Sequence, residues 1–304
     1  MEKQLPAFSL ATIEGPEGAI ACIEVADRLY RLEPALARVG LHGMTTLIGL
    51  FADWDRSLAA LEAAAQRVEP ADLAPPGQRL APLLYPGKIL CAGANYFDHL
   101  AEMGMPGAKK EDQRLFFFMK PPRNAVVGEG ASVRMPIGTK AFDWEIELAA
   151  VIGKRARNVE ALGALEHVAA YTVAIDFSAR DHNRAPETFY KLDWVAGKAN
   201  DTCCPLGPRL VPAAAIPDPQ DVGLKLKVNG ELKQNARTSG MIFSLAEQIA
   251  IASRIMTLDP GDVLLTGTPA GVGVPKQTFL KVGDRVDAKI EGIGKLSIVI
   301  QPSA

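Results

Sequence analysis

Cysteine is scarce in this sequence, and so is any spacing that would pair it. The chain has 304 residues and four cysteines, at positions 22, 91, 203 and 204, with no C-x-x-C pair. A disulfide framework is therefore excluded, and a reducing compartment, the cytoplasm, is predicted. The adjacent Cys203 and Cys204 are expected to be two small buried thiols, because a disulfide between neighbours is sterically awkward.

A surplus of basic charge is also absent. Lys and Arg number 33 against 35 for Asp and Glu, which gives a formal net charge of −2 at pH 7. Proteins that neutralise phosphates need an excess of basic residues, usually gathered on one face. The composition therefore argues against nucleic acid as a partner.

Long apolar runs are missing as well. No stretch reaches the roughly 18 consecutive apolar residues of a membrane helix, and the polar residues at positions 2–4 are followed by no apolar signal segment. Hydrophobic residues make up 48% and charged residues 22%, as in globular domains rather than disordered chains. The sequence predicts a globular protein with no membrane partner.

Two domains are predicted. Residues 1–80 form a small α+β unit, because strand-like runs at 8–13, 19–25 and 28–32 precede apolar residues at helical spacing from Trp54 to Val68. A Pro- and Gly-rich passage at 74–87 is interpreted as the linker. Residues 86–304 form the second domain, whose short β-branched runs indicate a mainly β (α+β) fold with peripheral helices.

Local signals in the second domain fix several elements. Asn229-Gly230 predicts a hairpin turn, because both central positions of that turn favour positive φ. Ser244 and Glu247 form a capping-box pattern ahead of an apolar stripe, which predicts a helix that runs to Met256. Strands are predicted at 88–92, 146–152, 224–228, 263–265, 286–290 and 296–300.

Three acidic residues are candidates for a metal site. On a strand, Glu145 and Glu147 would point to one face, where paired carboxylates repel each other unless a cation lies between them. The alternative is a solvent-facing edge. Asp176 ends a second apolar run and is either a third ligand or the N-cap of the next turn. Carboxylate oxygens suit Mg²⁺, Mn²⁺ or Ca²⁺.

His99 and Glu102 are three residues apart and share a face on a helical turn. The carboxylate would fix the imidazole tautomer and raise its basicity, an arrangement typical of a general base; an ordinary surface pair is the alternative. The other histidines form no zinc-binding spacing. Dinucleotide, phosphate-loop and serine-hydrolase glycine motifs are absent.

Taken together, the segments resemble the fumarylacetoacetate hydrolase family over residues 88–300. The resemblance is carried by short motifs in a shared order. They are GANY (93–96) with His99 and Glu102, FMKPP (118–122), DWEIE (143–147), SARD (178–181), GK (197–198), VNGE (228–231), PGD (260–262), TGTP (266–269), VGD (282–284) and EGIG (291–294).

The resemblance implies a rolled, mixed β-sheet domain, usually dimeric, with a smaller N-terminal domain in longer members. A homodimer is therefore expected. The resemblance also implies that Glu145, Glu147 and Asp176 hold a divalent cation, with Mg²⁺ the first choice and Mn²⁺ or Ca²⁺ as alternatives.

The same resemblance implies catalytic and substrate-binding residues. His99 and Glu102 would act as a dyad on a loop that orders over the substrate, and Lys198 would lie near the reacting centre. Arg180 and Thr268 occupy positions that handle substrate oxygens. Asn183 is a further substrate-binding candidate, at a position where relatives often have Gln.

The implied function is a metal-dependent hydrolase that cleaves the C–C bond of an acylpyruvate-type 2,4-dioxo acid, in aromatic or sugar-acid catabolism. His99 would activate a water for attack on the distal carbonyl, and the products would be pyruvate, released as its enolate, and a carboxylic acid. Isomerisation, β-keto acid decarboxylation and dehydration of related 2-oxo acids are alternatives, because they use the same enolate.

A non-catalytic, metal-stabilised binding protein is the competing class. Residues 100–115, the lid segment, are expected to move.

Overall fold

The computed structural model describes residues 8–303, which form the sheet-rich, mixed α+β fold that the sequence predicts. The strands are β1 Ser9–Gly15, β2 Gly18–Val25, β3 Arg28–Arg31, β4 Ile89–Gly93, β5 Phe116–Lys120, β6 Val126–Val127, β7 Ser132–Arg134, β8 Phe142–Asp143, β9 Ile146–Ile152, β10 Val168–Ile175, β11 Ser178–Ala179, β12 Cys204–Pro212, β13 Gly223–Val228, β14 Glu231–Arg237, β15 Val263–Leu265, β16 Arg285–Ile290 and β17 Gly294–Gln301. The α-helices are α1 Leu32–Ala37, α2 Leu47–Leu50, α3 Trp54–Ala65, α4 Phe97–Glu102, α5 Arg180–Asn183, α6 Trp194–Lys198 and α7 Leu245–Ile255.

The main sheet has ten strands in the order β3-β2-β1-β12-β10-β9-β15-β4-β5, with β6 paired to β12. The antiparallel pair β9 and β10 lies near its middle, and every residue of both strands is buried. Strands covered on both faces are continuous apolar runs. This burial explains why neither run alternates in sequence. β15 pairs with β9 antiparallel and with β4 parallel.

A second sheet, in the order β14-β13-β16-β17-β7, shares one apolar cluster with the main sheet. Leu226 of β13 and Ile298 of β17 belong to this cluster together with Leu148 of β9. The β13–β14 hairpin turns at Asn229 and Gly230, whose φ angles of 51° and 84° confirm the predicted turn.

Both of the predicted longer helices are present. Before α7, the Ser244 Oγ accepts a hydrogen bond from the Glu247 N–H at 3.3 Å, and the Glu247 Oε2 accepts one from the Ser244 N–H at 2.8 Å. The capping box is therefore confirmed. α3 ends at Ala65, three residues before the predicted Val68. The Arg67 N–H donates to the Ala64 carbonyl oxygen at 2.8 Å, a bond that spans three residues instead of four, so the last turn tightens and the α-helix ends.

The first three strands join the main sheet through β1 and β12, with Leu10 opposite Leu210. Leu10 and Trp54 share a second apolar cluster with Val151 of β9. The sheet therefore continues across the boundary predicted between residues 1–80 and 86–304, and the division into domains stays a prediction.

All four cysteines are buried free thiols, as expected for Cys203 and Cys204. Within residues 8–303, no helix has both the length and the apolar character that a membrane crossing needs.

Candidate active site

The site is assembled where strands of the main sheet end on one side. β9 begins and β10 ends there, because their antiparallel pairing puts Ile146 opposite Ile175. The carboxyl ends of β15 and β4 lie on the same side. Glu145, Glu147 and Asp176 therefore meet at neighbouring strand ends, and the Asp176 N–H donates to the Glu145 carbonyl oxygen at 2.8 Å.

The three predicted metal ligands form one buried cluster. Glu145, Glu147 and Asp176 each offer a carboxylate oxygen, and these oxygens lie within 4.8 Å of one another. The relative exposures of the residues are 5%, 1% and 0%, so the solvent-facing alternative for the two glutamates is wrong. Hard oxygen donors at this spacing fit one small divalent cation such as Mg²⁺ or Mn²⁺.

The charges within the cluster also favour a bound cation. Burial and the negative charges of Asp176 and Glu145 together raise the pKa of Glu147 well above its usual value. Burial opposes ionisation of Glu145 too, but Arg180 and Lys198 outweigh it and hold the pKa of Glu145 below its usual range. Negative charge is thus least compensated at Glu147, and a divalent cation beside it would relieve that repulsion.

Lys198 places a positive charge at the edge of this cluster. It ends α6, and its Nζ donates to the Asp176 Oδ2 at 2.6 Å and to the Glu145 Oε2 at 2.9 Å. The same Nζ lies 4.9 Å from the centre of the Phe118 ring. The structure thus brings Lys198 to the carboxylates, as the resemblance implies, and its catalytic role stays a prediction.

Lys120 is a buried residue for which no role was predicted. Its Nζ lies 2.7 Å from the Asp176 Oδ1 and donates to the carbonyl oxygens of Phe177, Lys198 and Cys203 at 3.0, 2.5 and 3.0 Å. Burial disfavours the ammonium, but the charge of Asp176 together with the smaller effects of the nearby thiols of Cys204, Cys203 and Cys91 raises the pKa of Lys120 overall. One ammonium therefore ties together three segments that build the site. In the sequence, the sign that Lys120 could be buried was its place as a charged residue at the end of an apolar strand.

Arg180 opens α5 and contacts two buried acids. Its Nε donates to the Asp143 Oδ2 at 3.0 Å, and its Nη2 lies 2.5 Å from the Glu145 Oε1. Asp143 also accepts hydrogen bonds from the N–H groups of Trp144 and Gly273 at 2.9 and 2.7 Å. Asp143 therefore positions the guanidinium. It belongs to the DWEIE motif, but no role was predicted for it.

The predicted dyad is formed on α4. The His99 Nδ1 lies 2.7 Å from the Glu102 Oε1, and the Glu102 Oε2 accepts a hydrogen bond from the Gly271 N–H at 2.9 Å. A carboxylate partner fixes the proton on Nδ1, so Nε2 keeps its lone pair. His99 is only 8% exposed, so the ordinary surface pair is wrong as an interpretation. The role of the dyad as a base stays a prediction.

The segment after β15 supports both the acids and the dyad. The Gly267 N–H donates to the Glu147 Oε2 at 2.5 Å. Gly267 has a φ of 96°, and a Cβ there would lie 2.8 Å from the Cβ of Asn95, so glycine is required. The Thr268 Oγ1 donates to the Ile146 carbonyl oxygen at 2.9 Å and accepts from the Gln234 Nε2 at 2.8 Å. These bonds anchor Thr268 beside the carboxylates.

Asn183, the remaining substrate-binding candidate, lies at the end of α5 against Gly197. A Cβ at Gly197 would lie 2.6 Å from the Asn183 Oδ1, so the glycine permits this close packing. In the described part of the chain, Asn183 is not among the residues that line the cavity beside the acids. Substrate contact by Asn183 stays a prediction.

A cavity of about 200 Å³ opens beside the cluster and the dyad. Its polar lining consists of His99, Glu145, Arg180, Lys198 and Thr268. Its apolar lining includes Leu100, Met103, Met105, Phe116, Phe118 and Trp194. The volume is below the roughly 300–1,000 Å³ of sites for drug-sized molecules, and it suits a short substrate. A larger cavity of about 670 Å³ beside β13 and β16 contains none of these residues.

Comparison with known proteins gives matches over most of the chain. The family model described as fumarylacetoacetate (FAA) hydrolase C-terminal matches residues 88–301. A Xenopus laevis protein named oxaloacetate tautomerase fahd2, mitochondrial, is 43% identical over 220 residues, which are 72% of this chain and 66% of that protein. The match thus spans just under two thirds of the relative's length.

Two solved structures extend the likeness to the fold. A putative HpcE protein from Mycobacterium smegmatis has a TM-score of 0.82 and 30% identity, covering 97% of this chain and 99% of its own. The fumarylpyruvate hydrolase from Pseudomonas aeruginosa in complex with Mn²⁺ and pyruvate has a TM-score of 0.65 and 34% identity, covering 74% of this chain and 92% of its own.

Proposed function

This chain belongs to the fumarylacetoacetate hydrolase family, and on that premise we propose that it is a metal-dependent enzyme that tautomerises a 2-oxo acid. The observation that carries the proposal is that His99 of the dyad and Glu145 of the acidic cluster line one small cavity. The 43% identity to a protein named as an oxaloacetate tautomerase supports keto–enol tautomerisation as the reaction.

Glu145, Glu147 and Asp176 are the residues that would hold the divalent cation. A cation bound there supplies Lewis-acid polarisation of the 2-oxo group and stabilises the negative charge that develops on its oxygen. Lys198 adds a fixed positive charge, since its Nζ lies within 2.9 Å of two of the three carboxylates. Buried charges of this kind act strongly because water does not screen them.

His99 performs the proton transfer in this proposal. Its Nε2 takes a proton from the carbon next to the 2-oxo group, and the electron pair of that C–H bond moves to the oxo oxygen. A proton from the imidazolium or from solvent then reaches that oxygen, so the net change is one proton moved from carbon to oxygen. Glu102 stabilises the imidazolium through its contact with Nδ1 at 2.7 Å.

Hydrolysis of an acylpyruvate, the reaction that the family resemblance implies, is the second candidate. The likeness to the Pseudomonas aeruginosa fumarylpyruvate hydrolase favours it. In that reaction His99 would take a proton from water as the water attacks the distal carbonyl. The C–C bond would then break to give a carboxylic acid and the pyruvate enolate, which gains a proton to become pyruvate.

One panel of substrates separates the two candidates. The purified chain is assayed with oxaloacetate and with 2,4-dioxo acids, each with Mg²⁺ or Mn²⁺ and again with excess chelator. Enol absorbance reports tautomerisation, and pyruvate release from the dioxo acids reports hydrolysis. We expect metal-dependent enol–keto interconversion. Activity that persists in chelator, or no reaction with any 2-oxo acid, would contradict the proposal.

A further inference from the structure

The cavity beside the acids has an apolar region that the proposed reaction does not use. Phe116 and Phe118 extend from one face of β5 and contact Trp194, each at 5.3 Å between ring centres. Met103 and Met105, which follow α4, line the same space. This aromatic and thioether wall is continuous with the chemical groups, because Lys198 lies over the Phe118 ring.

The positive charges of this cavity are already engaged by carboxylates of the chain. Among the described residues that line it, the permanent cations are Arg180 and Lys198. Arg180 contacts Asp143 and Glu145, and Lys198 contacts Glu145 and Asp176. A second carboxylate on a substrate would therefore gain no free cation from the described lining residues. The wall itself, where Met103, Met105 and Phe116 are 41%, 51% and 39% exposed, offers apolar contact but no charged partner.

The cations of the lid segment lie outside the cavity lining in this structure. Lys110 donates to both carboxylate oxygens of Glu247 at 2.6 and 2.8 Å. Lys109 and Arg114 are exposed and lie outside the cavity lining.

We infer that the substrate is a short 2-oxo acid whose distal group is apolar, held by Met103, Met105, Phe116 and Trp194, and not a dicarboxylate. This inference rests on the proposed function for the placement of the 2-oxo acid end. Oxaloacetate carries a carboxylate at its distal end. The inferred substrate therefore differs from the compound in the name of the Xenopus laevis relative.

Binding is tested first with two unreactive analogues of equal size. N-isobutyloxamate and N-oxalylglycine share the oxamate head and differ only in an isopropyl or a carboxylate group. Calorimetry in the presence of Mn²⁺ is expected to give about tenfold tighter binding of the isobutyl analogue, since its isopropyl group gains apolar contact at the wall and the carboxylate gains no charged partner there. Equal or tighter binding of N-oxalylglycine, or binding of neither analogue, overturns the inference.

A variant that places a positive charge at the apolar wall tests which residues hold the distal group. Met105 is 51% exposed, so Met105→Arg should fold and bring a guanidinium to the cavity. The variant is expected to reverse the order of the two analogues. Met119→Arg is the control, because Met119 is 45% exposed on β5 but lies outside the cavity lining. A reversal by both variants, or by neither, contradicts the assignment of the wall.

Turnover separates this inference from the proposed function. Hydrogen–deuterium exchange at the carbon beside the oxo group is followed by NMR for 4-methyl-2-oxopentanoate and for oxaloacetate, which also differ only in that distal group. Faster enzymatic exchange of the methyl-branched acid supports both conclusions. Preferred binding of the isobutyl analogue with exchange of neither acid refutes the proposed function and supports the inference.

Discussion

Replacing Glu102 with Gln is expected to reverse the hydrogen bond that fixes His99. The carboxylate accepts from the His99 Nδ1 at 2.7 Å and from the Gly271 N–H at 2.9 Å. A glutamine keeps the second bond only through its carbonyl oxygen, which turns its NH₂ group toward Nδ1. The imidazole must then carry its proton on Nε2, the nitrogen required as the base.

The magnitude follows from the value of a positioned base. General-base catalysis contributes ~10²–10⁴-fold, so Glu102→Gln should lower kcat by this factor, or about 2.7–5.4 kcal/mol in activation free energy. The assay is proton exchange of a 2-oxo acid at saturating Mn²⁺. Calorimetric affinity for Mn²⁺ should stay within about twofold of the original chain, because Glu102 is not one of the three proposed metal ligands.

A double variant makes the test stricter. His99→Asn removes the base, so adding Glu102→Gln to it should have no further effect on kcat. If Glu102→Gln alone kept kcat within about threefold of the unaltered chain, the assignment of the dyad would be refuted. Full additivity of the two losses would contradict it equally.

Three further results are expected. Lys120→Met should lower the free energy of unfolding by ~3–5 kcal/mol in urea titrations, because it leaves Asp176 buried with one fewer partner. A loss below ~1 kcal/mol would contradict the contacts of the Lys120 ammonium with Asp176 and the three carbonyl oxygens. Ser244→Ala should lower it by about 1 kcal/mol through loss of the α7 cap, whereas Ser244→Thr, which retains the hydroxyl, should be close to neutral, and equal losses would be inconsistent with capping. Burial raises the pKa of Cys203 and of Cys204 to about 12, so little thiolate forms at pH 8. A thiol reagent should therefore label these residues only after denaturation, and the labelling rate of the native protein should rise as the pH approaches 12. Rapid labelling of the native protein at pH 8 would refute this.

Elements specified by neighbouring residues could be predicted from the sequence. The Asn229-Gly230 turn, the Ser244 cap and the bounds of β9 at 146–152 all follow from local backbone preference and apolar runs. The pairing of Leu10 with Leu210 could not, because two residues so far apart in sequence leave no local signal for their register.

At the site, too, features set by neighbouring residues could be predicted, and features set by distant residues could not. Glu145, Glu147 and the His99–Glu102 pair were predicted because they belong to short motifs, and Asp176 because it ends an apolar run; the family resemblance joined them into one site. Lys120 was missed because a buried ammonium is explained only by its partners, and these come from three distant segments. The cytoplasmic location and the homodimer stay predictions.

Glu145, Glu147 and Asp176 are proposed to hold one divalent cation, and a crystal soaked in Mn²⁺ would show where that ion binds. Anomalous scattering should show a single strong peak in contact with oxygens of Glu145, Glu147 and Asp176, at about 2.0–2.3 Å. The peak should be lost in Glu145→Gln crystals that keep the same fold. A peak elsewhere, or none between these oxygens at saturating Mn²⁺, would rule out this metal site.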